Sequence, residues 1–294
     1  MSDSFLSSKL IENISQKIST QKDKPGLYAV ATPIGNIFDI SFRAIHILRK
    51  SKIIFAEDTR NSRKLLDFYE IDRPLVACHE YNETLPQVVN QIHQNEYYSL
   101  ISDAGTPCIS DPGYRLINWC VENNIDVFPI PGACAFISGL SVAGLPTDRF
   151  TFFGFPPNKK NAKCNFFEPL KRNTETLVFL ESPKRILETL SIMMNVFGNR
   201  KCCACRELTK LFEDVRRGTI HEVLESFGNK EPQGEFVLIV EGCNDIEDDI
   251  ESAFNELQKL LQTMSVKESV SIIVDKYRLN KKQVYQKALE FKNE

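Results

Sequence analysis

Long apolar runs and glycine-rich nucleotide-binding motifs are both missing from this chain of 294 residues. No apolar stretch reaches the ~20 residues that a membrane-spanning helix needs. Residues 1–24 also lack the compact apolar segment of a signal peptide, so we expect a cytoplasmic protein. Because neither G-x-G-x-x-G nor G-x-x-x-x-G-K-S/T occurs, the sequence does not favour a dinucleotide-binding or P-loop protein.

Histidine is scarce, and none of the four histidines lies in a nucleophile-elbow motif, which disfavours a serine hydrolase. Cysteine is abundant, but nine is an odd number, and the cysteines of a cytoplasmic protein stay reduced. The cluster of Cys202, Cys203 and Cys205 lacks C-x-x-C spacing and has no histidine close by in the sequence. A buried strand therefore explains this cluster better than a zinc site, and we predict no metal.

Opposite charges nearly cancel, with 36 Lys and Arg against 39 Asp and Glu and a formal net charge of -3. The bulk charge therefore neither supports nor excludes a nucleic-acid partner.

The length suggests about two domains. We predict a helical extension at 1–24, α/β domains at 25–143 and 144–243, and an acidic linker with a basic helical tail at 244–294. Apolar residues four apart predict that the extension is amphipathic: Leu6, Leu10, Ile14 and Ile18.

Short apolar runs alternate with helix-like segments from Gly26 onward, a pattern typical of α/β proteins with a parallel sheet. The strands predicted in the first half are 27–31, 53–56, 98–102 and 127–130, and the helices are 41–50 and 114–123. The strands predicted in the second half are 150–155, 176–181, 202–206 and 235–241. The predicted fold class is therefore α/β, with a second sheet in the second half.

Four polar loops follow predicted strands of the first half, at residues 32–36, 57–61, 103–113 and 131–135. Because the carboxyl ends of parallel strands meet at one sheet edge, we expect these loops to form one cleft. The 103–113 loop is the richest, with two glycines, two prolines and two aspartates. Glycine lets backbone N–H groups approach a ligand, and an aspartate can bind hydroxyl or ammonium groups. We interpret Asp103 as a ligand anchor and Asp111 mainly as a turn residue.

Six motifs in this order carry a family resemblance: TPIGN at 32–36, AEDTR at 56–60, SDAGTPCISDPG at 102–113, PGACA at 131–135, GLPTDRF at 144–150 and ESPKR at 181–185. Together they resemble the bacterial cytidine 2'-O-methyltransferases of small-subunit (16S) ribosomal RNA. That family belongs to the tetrapyrrole methylase fold and uses S-adenosylmethionine. The resemblance spans roughly residues 26–242. It implies two α/β domains with the cofactor in the cleft between them, and a homodimer.

The resemblance also implies roles for residues of the matching motifs. The residues implied to line the cofactor are Asp103, Ala104, Gly105, Pro131, Cys134, Ala135 and Leu180. Pro33 and Asn36 of the first loop would face the acceptor. S-adenosylmethionine carries an ammonium group, a carboxylate, ribose hydroxyls and an adenine face, which backbone groups and one carboxylate can hold.

Charged residues of two motifs are the candidates for catalysis. A general base would be Glu57, Asp58 or Glu181, and of these we favour Glu57 acting with Arg60. A carboxylate and a guanidinium at one strand end can hold a hydroxyl and a neighbouring phosphate together. The alternative for Asp58 and Arg60 is an exposed ion pair after a buried strand.

Four further residues are candidate contacts for the acceptor. Lys184 and Arg185 of the ESPKR motif would orient phosphates or the acceptor ribose, and the alternative is a helix start near a phosphate. His79 and Asn82 follow a predicted strand, and they belong either to the acceptor site or to a solvated loop.

Basic residues are concentrated near the end of the chain: Lys276, Arg278, Lys281, Lys282, Lys287 and Lys292. The pattern over 266–289 predicts two short helices separated by residues 277–280, as in a small helix-turn-helix unit. Phosphate contacts from Lys281 and Lys282 would raise RNA affinity without specifying sequence. The alternative is a solvated helix face.

The family resemblance, together with the basic tail, implies S-adenosylmethionine-dependent methylation of a cytidine 2'-hydroxyl in small-subunit ribosomal RNA. Two alternatives stay open. The first is methylation of a small tetrapyrrole, because a fold does not fix its substrate. The second is a non-catalytic RNA-binding or ribosome assembly factor that retains only the cofactor cleft.

Overall fold

Two five-stranded sheets form the body of the molecule. The computed structural model describes residues 7–228, 231–243, 246–277 and 279–293. The first sheet is parallel throughout, in the order β3-β2-β4-β1-β5. Its strands are β1 (Gly26–Val30), β2 (Ile53–Ala56), β3 (Leu75–Ala77), β4 (Tyr97–Ile101) and β5 (Val127–Ile130). Four of the five were predicted, to within one residue at each end.

The first sheet is buried on both faces, as parallel sheets in α/β proteins are. Successive side chains of a strand point to opposite faces. Leu27 of β1 therefore packs in one apolar cluster, while its neighbour Tyr28 packs in another. Helices that cover this sheet are α2 (Phe42–Lys50), α3 (Thr59–Phe68), α4 (Pro86–Val89) and α5 (Tyr114–Glu122).

The second sheet is mixed, in the order β6-β7-β10-β8-β9, and only the β6–β7 pair is parallel. Its strands are β6 (Phe150–Phe152), β7 (Thr176–Glu181), β8 (Lys201–Arg206), β9 (Asp214–Thr219) and β10 (Phe236–Val240). The cysteine cluster lies on β8, and all three of its thiols are buried, so the strand prediction is confirmed. The accompanying helices are α7 (Lys160–Phe167), α8 (Ile186–Phe197) and α9 (Ile220–Glu225).

Helix α6 (Ala135–Val142) joins the two sheets. It follows β5 of the first sheet but packs against β7 and β10 of the second. The approach is close, because a Cβ added at Gly139 would lie 3.1 Å from Val237 Cγ1. The apolar cluster around α6 also contains Ile34 of the first half and Leu208 of the second. The two halves therefore share one packed interface, and the cleft between them opens beside it.

Three helices form a unit at the end of the chain, α10 (Ile246–Leu260), α11 (Val266–Tyr277) and α12 (Lys281–Asn293). They share their own apolar cluster, whose buried members are Ala253, Leu257, Val270, Ile273, Val284 and Ala288. The two predicted helices of the basic tail are confirmed, while Arg278 lies outside the described residues. The described part of the acidic stretch after Gly242 opens α10.

Helix α1 (Ser8–Ser19) lies within the predicted extension at 1–24. Ser7 caps it, since the Ser7 side chain accepts a hydrogen bond from the backbone of Leu10. Leu6 lies outside the described residues. Among the helices of the described residues, none combines the length and apolar character that would let it cross a membrane.

Candidate active site

A cavity of about 450 Å³ lies between the two sheets, and both halves of the chain line it. The first half contributes Glu57, Asp103, Ala104, Gly105, Cys134 and Ala135. The second half contributes Phe152, Leu180, Glu181 and Val237. Ligand pockets of about 300–1,000 Å³ with an apolar lining and a few polar groups are typical of small-molecule sites. We call this space the donor cavity.

A short pairing between two loops holds Gly105, which lines the donor cavity. Thr32 and Gly105 exchange backbone hydrogen bonds of 2.8 and 3.1 Å, which ties the loop after β1 to the loop after β4. Gly105 has φ +84°, and a Cβ at this position would lie 3.3 Å from Ile34 Cγ2. Glycine therefore satisfies both the backbone conformation and the tight packing, and it leaves the backbone close to any ligand.

Strain is concentrated further along the same loop. Cys108 and Ser110 adopt φ values of +70° and +63°, in the left-handed region that non-glycine residues rarely occupy. The Cys108 N–H donates to Pro112 O at 3.3 Å, which helps to hold the loop in this shape. Strained backbone of this kind persists where the surrounding structure enforces it, and it clusters at functional sites.

Asp103 lies at the wall of the donor cavity and is oriented by the neighbouring loop. Its carboxylate accepts hydrogen bonds from the Asp58 N–H at 3.1 Å and from Asn61 Nδ2 at 3.0 Å. The residue remains exposed. These contacts fix the carboxylate on the cavity side of the first sheet, where a carboxylate can bind hydroxyl or ammonium groups.

Glu57 follows β2 and also lines the donor cavity. Its burial raises the pKa of its carboxyl, and the charges of Asp103 and Asp58 raise it further. The Asp103 N–H lies 3.4 Å from Glu57 Oε2 and opposes this shift. Among the described residues Glu57 forms no ion pair, so its carboxylate is available to a ligand.

Asp58 and Arg60 contact each other rather than the cavity. Asp58 caps α3 by accepting from the Arg60 N–H at 2.8 Å, and it pairs with Arg60 Nη2 at 2.8 Å. Hydrogen bonds from the Arg60 side chain and backbone lower the pKa of Asp58 to about 2. The Arg60 side chain is 88% exposed. The geometry thus separates Glu57 from Arg60, and their predicted joint role stays a prediction.

Glu181 lies at the end of β7 in a buried network of charges. Its carboxylate accepts from Thr189 Oγ1 at 2.6 Å and from the Ser182 N–H at 2.8 Å. It also pairs with Arg185 at 2.7 Å and lies 3.9 Å from Lys163 Nζ. The side chains of Lys163 and Glu181 are fully buried. Arg185 donates a further hydrogen bond to Ser182 Oγ at 2.9 Å.

A second cavity, of about 780 Å³, adjoins the first. The two cavities share three residues, Glu57, Ser110 and Asp111. The other residues of its lining are His79, Glu80, Tyr81, Glu83, Pro112, Tyr114 and Arg115. We call this space the side cavity. The sequence prediction named Glu57 and His79 as site residues, and its predicted cleft loop at 103–113 contains Ser110, Asp111 and Pro112. It missed the rest of the lining, which comes from the short loop after β3 and from the start of α5.

Asn82 supports the side cavity from behind. This residue is buried, and its side chain donates to Ala77 O at 2.9 Å and accepts from the His79 N–H at 2.7 Å. Asn82 therefore shapes the loop that presents His79. Its predicted contact with the acceptor stays a prediction.

The remaining predicted residues lie outside the linings of both cavities: Pro33, Asn36, Pro131, Lys184, Lys281 and Lys282. Asn36 uses its side chain to cap a short 3-10 helix, and its N–H donates to Thr209 Oγ1 at 3.0 Å. Lys184 is exposed. Lys281 and Lys282 begin α12 in the terminal three-helix unit. Within the described ranges no group of three or more His, Cys, Asp or Glu side chains is arranged to hold a metal ion.

Comparison with known proteins identifies relatives of this architecture. The family model described as Tetrapyrrole (Corrin/Porphyrin) Methylases matches residues 26–224. Among solved structures, diphthine synthase aligns with a TM-score of 0.59 at 11% identity, covering 74% of this chain and 89% of that chain. At this identity the likeness shows the fold alone. It is the two-domain α/β fold that the six motifs implied.

Relatives at higher identity share one name. "Ribosomal RNA small subunit methyltransferase I" of Halalkalibacterium halodurans is 44% identical over 229 residues, which are 77% of this chain and 79% of that protein. The protein of the same name from Pseudomonas aeruginosa is 40% identical over 273 residues, which are 90% of this chain and 96% of that protein. The second alignment extends into the three-helix unit or the helical extension, since it is longer than the span from 26 to 242.

Proposed function

Because this chain belongs to the tetrapyrrole methylase family, and within it to the ribosomal RNA small subunit methyltransferase I proteins, we propose that it methylates small-subunit ribosomal RNA. The methyl donor of the proposed reaction is S-adenosylmethionine, and the acceptor is the 2'-hydroxyl of a cytidine. The reaction takes place in the cytoplasm, where ribosomal RNA is accessible.

One observation carries the proposal: a single cavity is lined by the motif residues of both halves. Asp103 and Gly105 of the first half line it together with Leu180 of the second. S-adenosylmethionine has charged and hydroxyl groups at one end and an apolar adenine at the other. The Asp103 carboxylate fits the hydroxyl or ammonium groups, and the backbone at Gly105 can approach the ligand without a Cβ in between. Leu180 and Phe136 supply apolar surface for the adenine.

When bound, S-adenosylmethionine supplies a methyl group activated by attachment to a sulfonium sulfur. The protein must then align the acceptor oxygen with that methyl group. Positioning of this kind supplies about 7–11 kcal/mol, whereas a general base adds about 10²–10⁴-fold in rate, or roughly 3–5 kcal/mol. The tight, strained loops around the cavity support positioning as the larger contribution.

The terminal three-helix unit is the proposed RNA-docking element. Lys281 and Lys282 are exposed at the start of α12, where they can reach phosphates. The 2'-hydroxyl explains a preference for RNA, since DNA lacks this group. Exposed Lys184 is a second candidate phosphate contact, beside the donor cavity at the end of β7.

We further propose a homodimer, as the family resemblance implies. An exposed aromatic pair supports it: Phe38 and Phe68 are 76% and 52% exposed, and their ring centroids lie 6.2 Å apart. Clustered aromatic surface of this kind is typical of protein interfaces. Light scattering of the purified protein would detect a particle of twice 33.6 kDa, and a strictly monomeric protein would contradict the dimer.

Labelled S-adenosylmethionine and small ribosomal subunits from cells lacking the protein give the decisive assay. We expect one labelled cytidine, with the label on its 2'-oxygen after digestion to nucleosides. Label on a base nitrogen or carbon would show that the base, and not the 2'-hydroxyl, is the acceptor. RNA binding with no methyl transfer would favour the assembly-factor alternative. Faster turnover of a tetrapyrrole than of small subunits would favour the small-molecule alternative.

A further inference from the structure

The side cavity has no role in the function described so far, and its composition suits a nucleoside. Three aromatic side chains line it, those of His79, Tyr81 and Tyr114. Tyr81 and Tyr114 are 84% and 71% exposed, far more than aromatic residues that serve a core. Proteins hold splayed RNA bases by stacking them on such aromatic faces.

The side cavity also offers a group that suits the RNA backbone. Arg115 at the start of α5 donates one hydrogen bond to Glu80 O at 3.3 Å, and among the described residues it forms no ion pair. The backbone N–H groups at the start of α5 already have an acceptor, because the Glu83 carboxylate accepts from the N–H groups of Arg115 and Leu116 at 2.8 and 3.3 Å. The guanidinium is therefore available for a phosphate next to the bound nucleoside.

Asp111 lies at the junction, because it lines both the donor cavity and the side cavity. Within the described ranges its carboxylate forms no ion pair, and the hydroxyl of nearby Ser102 donates to Ala104 O at 3.3 Å. The strained backbone at Ser110 immediately precedes it. A group bound in the side cavity and a group bound in the donor cavity would meet at this carboxylate.

The geometry points to the side cavity as the acceptor-nucleoside site, with Asp111 accepting the hydrogen bond of the 2'-hydroxyl. This assignment rests on the proposed function and names the acceptor site within it. In the transfer, the ribose oxygen forms the bond to the methyl carbon, the carbon–sulfur bond breaks with its electron pair going to sulfur, and the hydroxyl proton passes to Asp111 and then to solvent.

The charges around Asp111 suit a proton acceptor. Burial, together with the negative charges of Glu57, Asp103 and Glu235, raises the pKa of Asp111 to about 6, against the nearby Ser102 side chain, which lowers it. Cys108 of the same loop interacts with the charge of Asp111. The other charged or titratable groups that line the two cavities are His79, Glu80, Tyr81, Glu83, Tyr114, Arg115, Cys134, Glu181, Cys205 and Lys210. A base whose pKa lies just below the working pH is ionised and still accepts a proton effectively.

The test compares Asp111→Asn with Asp72→Asn, an exposed aspartate before β3 that contributes to neither cavity. We expect Asp111→Asn to lower kcat on small subunits about 100-fold or more, with the calorimetric affinity for S-adenosylmethionine unchanged. The wild-type kcat should rise with pH and level off above about 6, and the variant should lose this dependence. Asp72→Asn should behave as wild type.

A second variant tests the base-stacking surface without touching Asp111. Tyr114→Ala should raise KM for small subunits about 10- to 100-fold and leave donor affinity unchanged, and Tyr114→Phe should restore KM because it keeps the ring. If Asp111→Asn keeps the wild-type kcat, or Tyr114→Ala keeps the wild-type KM, the assignment of the side cavity as the acceptor site is wrong, while the proposed function still stands. Failure of the wild-type protein itself to methylate small subunits would overturn the proposed function and the acceptor site together.

Discussion

Carboxylates on the two sides of the donor cavity are held in opposite ways. On the side of the first sheet, Glu57 and Asp111 form no ion pair with any described residue, and both have raised pKa values. On the side of the second sheet, Glu181 is fully buried and receives four partners, Thr189, Ser182, Arg185 and the more distant Lys163. The same chemical group thus lacks a cationic partner on one side and is held by a network of donors on the other.

This difference indicates which side carries the chemistry. A buried carboxylate with satisfied partners has little capacity left for a substrate, and removing it leaves its partners unpaired. Carboxylates that crowd together without cations keep high pKa values, which costs stability and suits proton transfer. We therefore infer that the first-sheet side reacts and that Glu181 maintains the fold. The predictions below test this division from the largest expected effect to the smallest.

Glu181→Ala should cause the largest loss of stability. The substitution leaves Lys163 buried with Glu188 as its remaining carboxylate partner, at 3.1 Å, and it removes the acceptor of Thr189 and Arg185. Breaking a buried charge network costs about 3–5 kcal/mol in free energy of unfolding. Denaturant unfolding measures this, with the exposed Glu168→Ala as a control that should change it by less than about 0.5 kcal/mol. If the Glu181→Ala protein keeps wild-type stability but loses methylation, Glu181 takes part in the reaction and the assignment of the chemistry to the first-sheet side is wrong.

Asp111→Asn should stabilise the protein at neutral and alkaline pH. The raised pKa of about 6 means that Asp111 favours folding while it is protonated, below its ordinary value of 3.8, and that this contribution is lost as the pH rises through 6. The neutral asparagine avoids that loss. The variant should therefore exceed the wild type by about 1–3 kcal/mol near pH 8 and match it near pH 4. A variant that is less stable at both pH values would show that Asp111 is a structural turn residue.

Gly105→Ala should weaken donor binding by about 5- to 30-fold, which corresponds to roughly 1–2 kcal/mol, because its Cβ would crowd Ile34 and shift backbone that lines the donor cavity. Gly198→Ala is the matched control. Gly198 also has a positive φ, of +77°, but a Cβ there would meet no atom within 4 Å. Both variants should lose similar stability, and only Gly105→Ala should lose affinity in a calorimetric titration with S-adenosylmethionine. Equal affinities would exclude Gly105 from the donor site.

Replacing Lys281 and Lys282 together by alanine should have the smallest effect. Each lost phosphate contact reduces the slope of log affinity against log salt by about 1. The double variant should therefore bind small-subunit RNA with a slope shallower by about 1 to 2 and should keep its donor affinity. The exposed pair Lys9 and Lys17 on α1 provides a control with the same charge change. An unchanged slope of log affinity against log salt would show that Lys281 and Lys282 form a solvated helix face and do not contact RNA phosphates.

The sequence predicted the regular part of the fold well, because its strands are short apolar runs between loops rich in glycine and proline. It predicted a strand before His79, where β3 lies, without giving its bounds, and it missed β9. Strand β3 has only three residues, and β9 reads Asp-Val-Arg-Arg-Gly-Thr, with no apolar run. Both lie at the edges of their sheets, where pairing with one neighbour rather than an apolar pattern defines the strand.

The candidate site was predictable where one motif supplied a whole surface, as at Asp103, Ala104 and Gly105. It was not predictable where partners come from distant segments. Glu181 contacts Lys163 and Thr189 in the folded protein, and no local sequence pattern indicates this network. Asp111 looks like a turn residue in sequence, and only the folding of the loop after β3 beside it creates the second cavity.

The most direct test is a crystal structure with S-adenosylhomocysteine and a short cytidine-containing RNA of the target site. The account predicts the donor product beside Asp103, Gly105 and Leu180, the cytidine in the side cavity, and its 2'-oxygen about 2.5–3.0 Å from an Asp111 carboxylate oxygen. A ribose bound at Glu181 or at the 33–36 loop, with the side cavity empty, would contradict it.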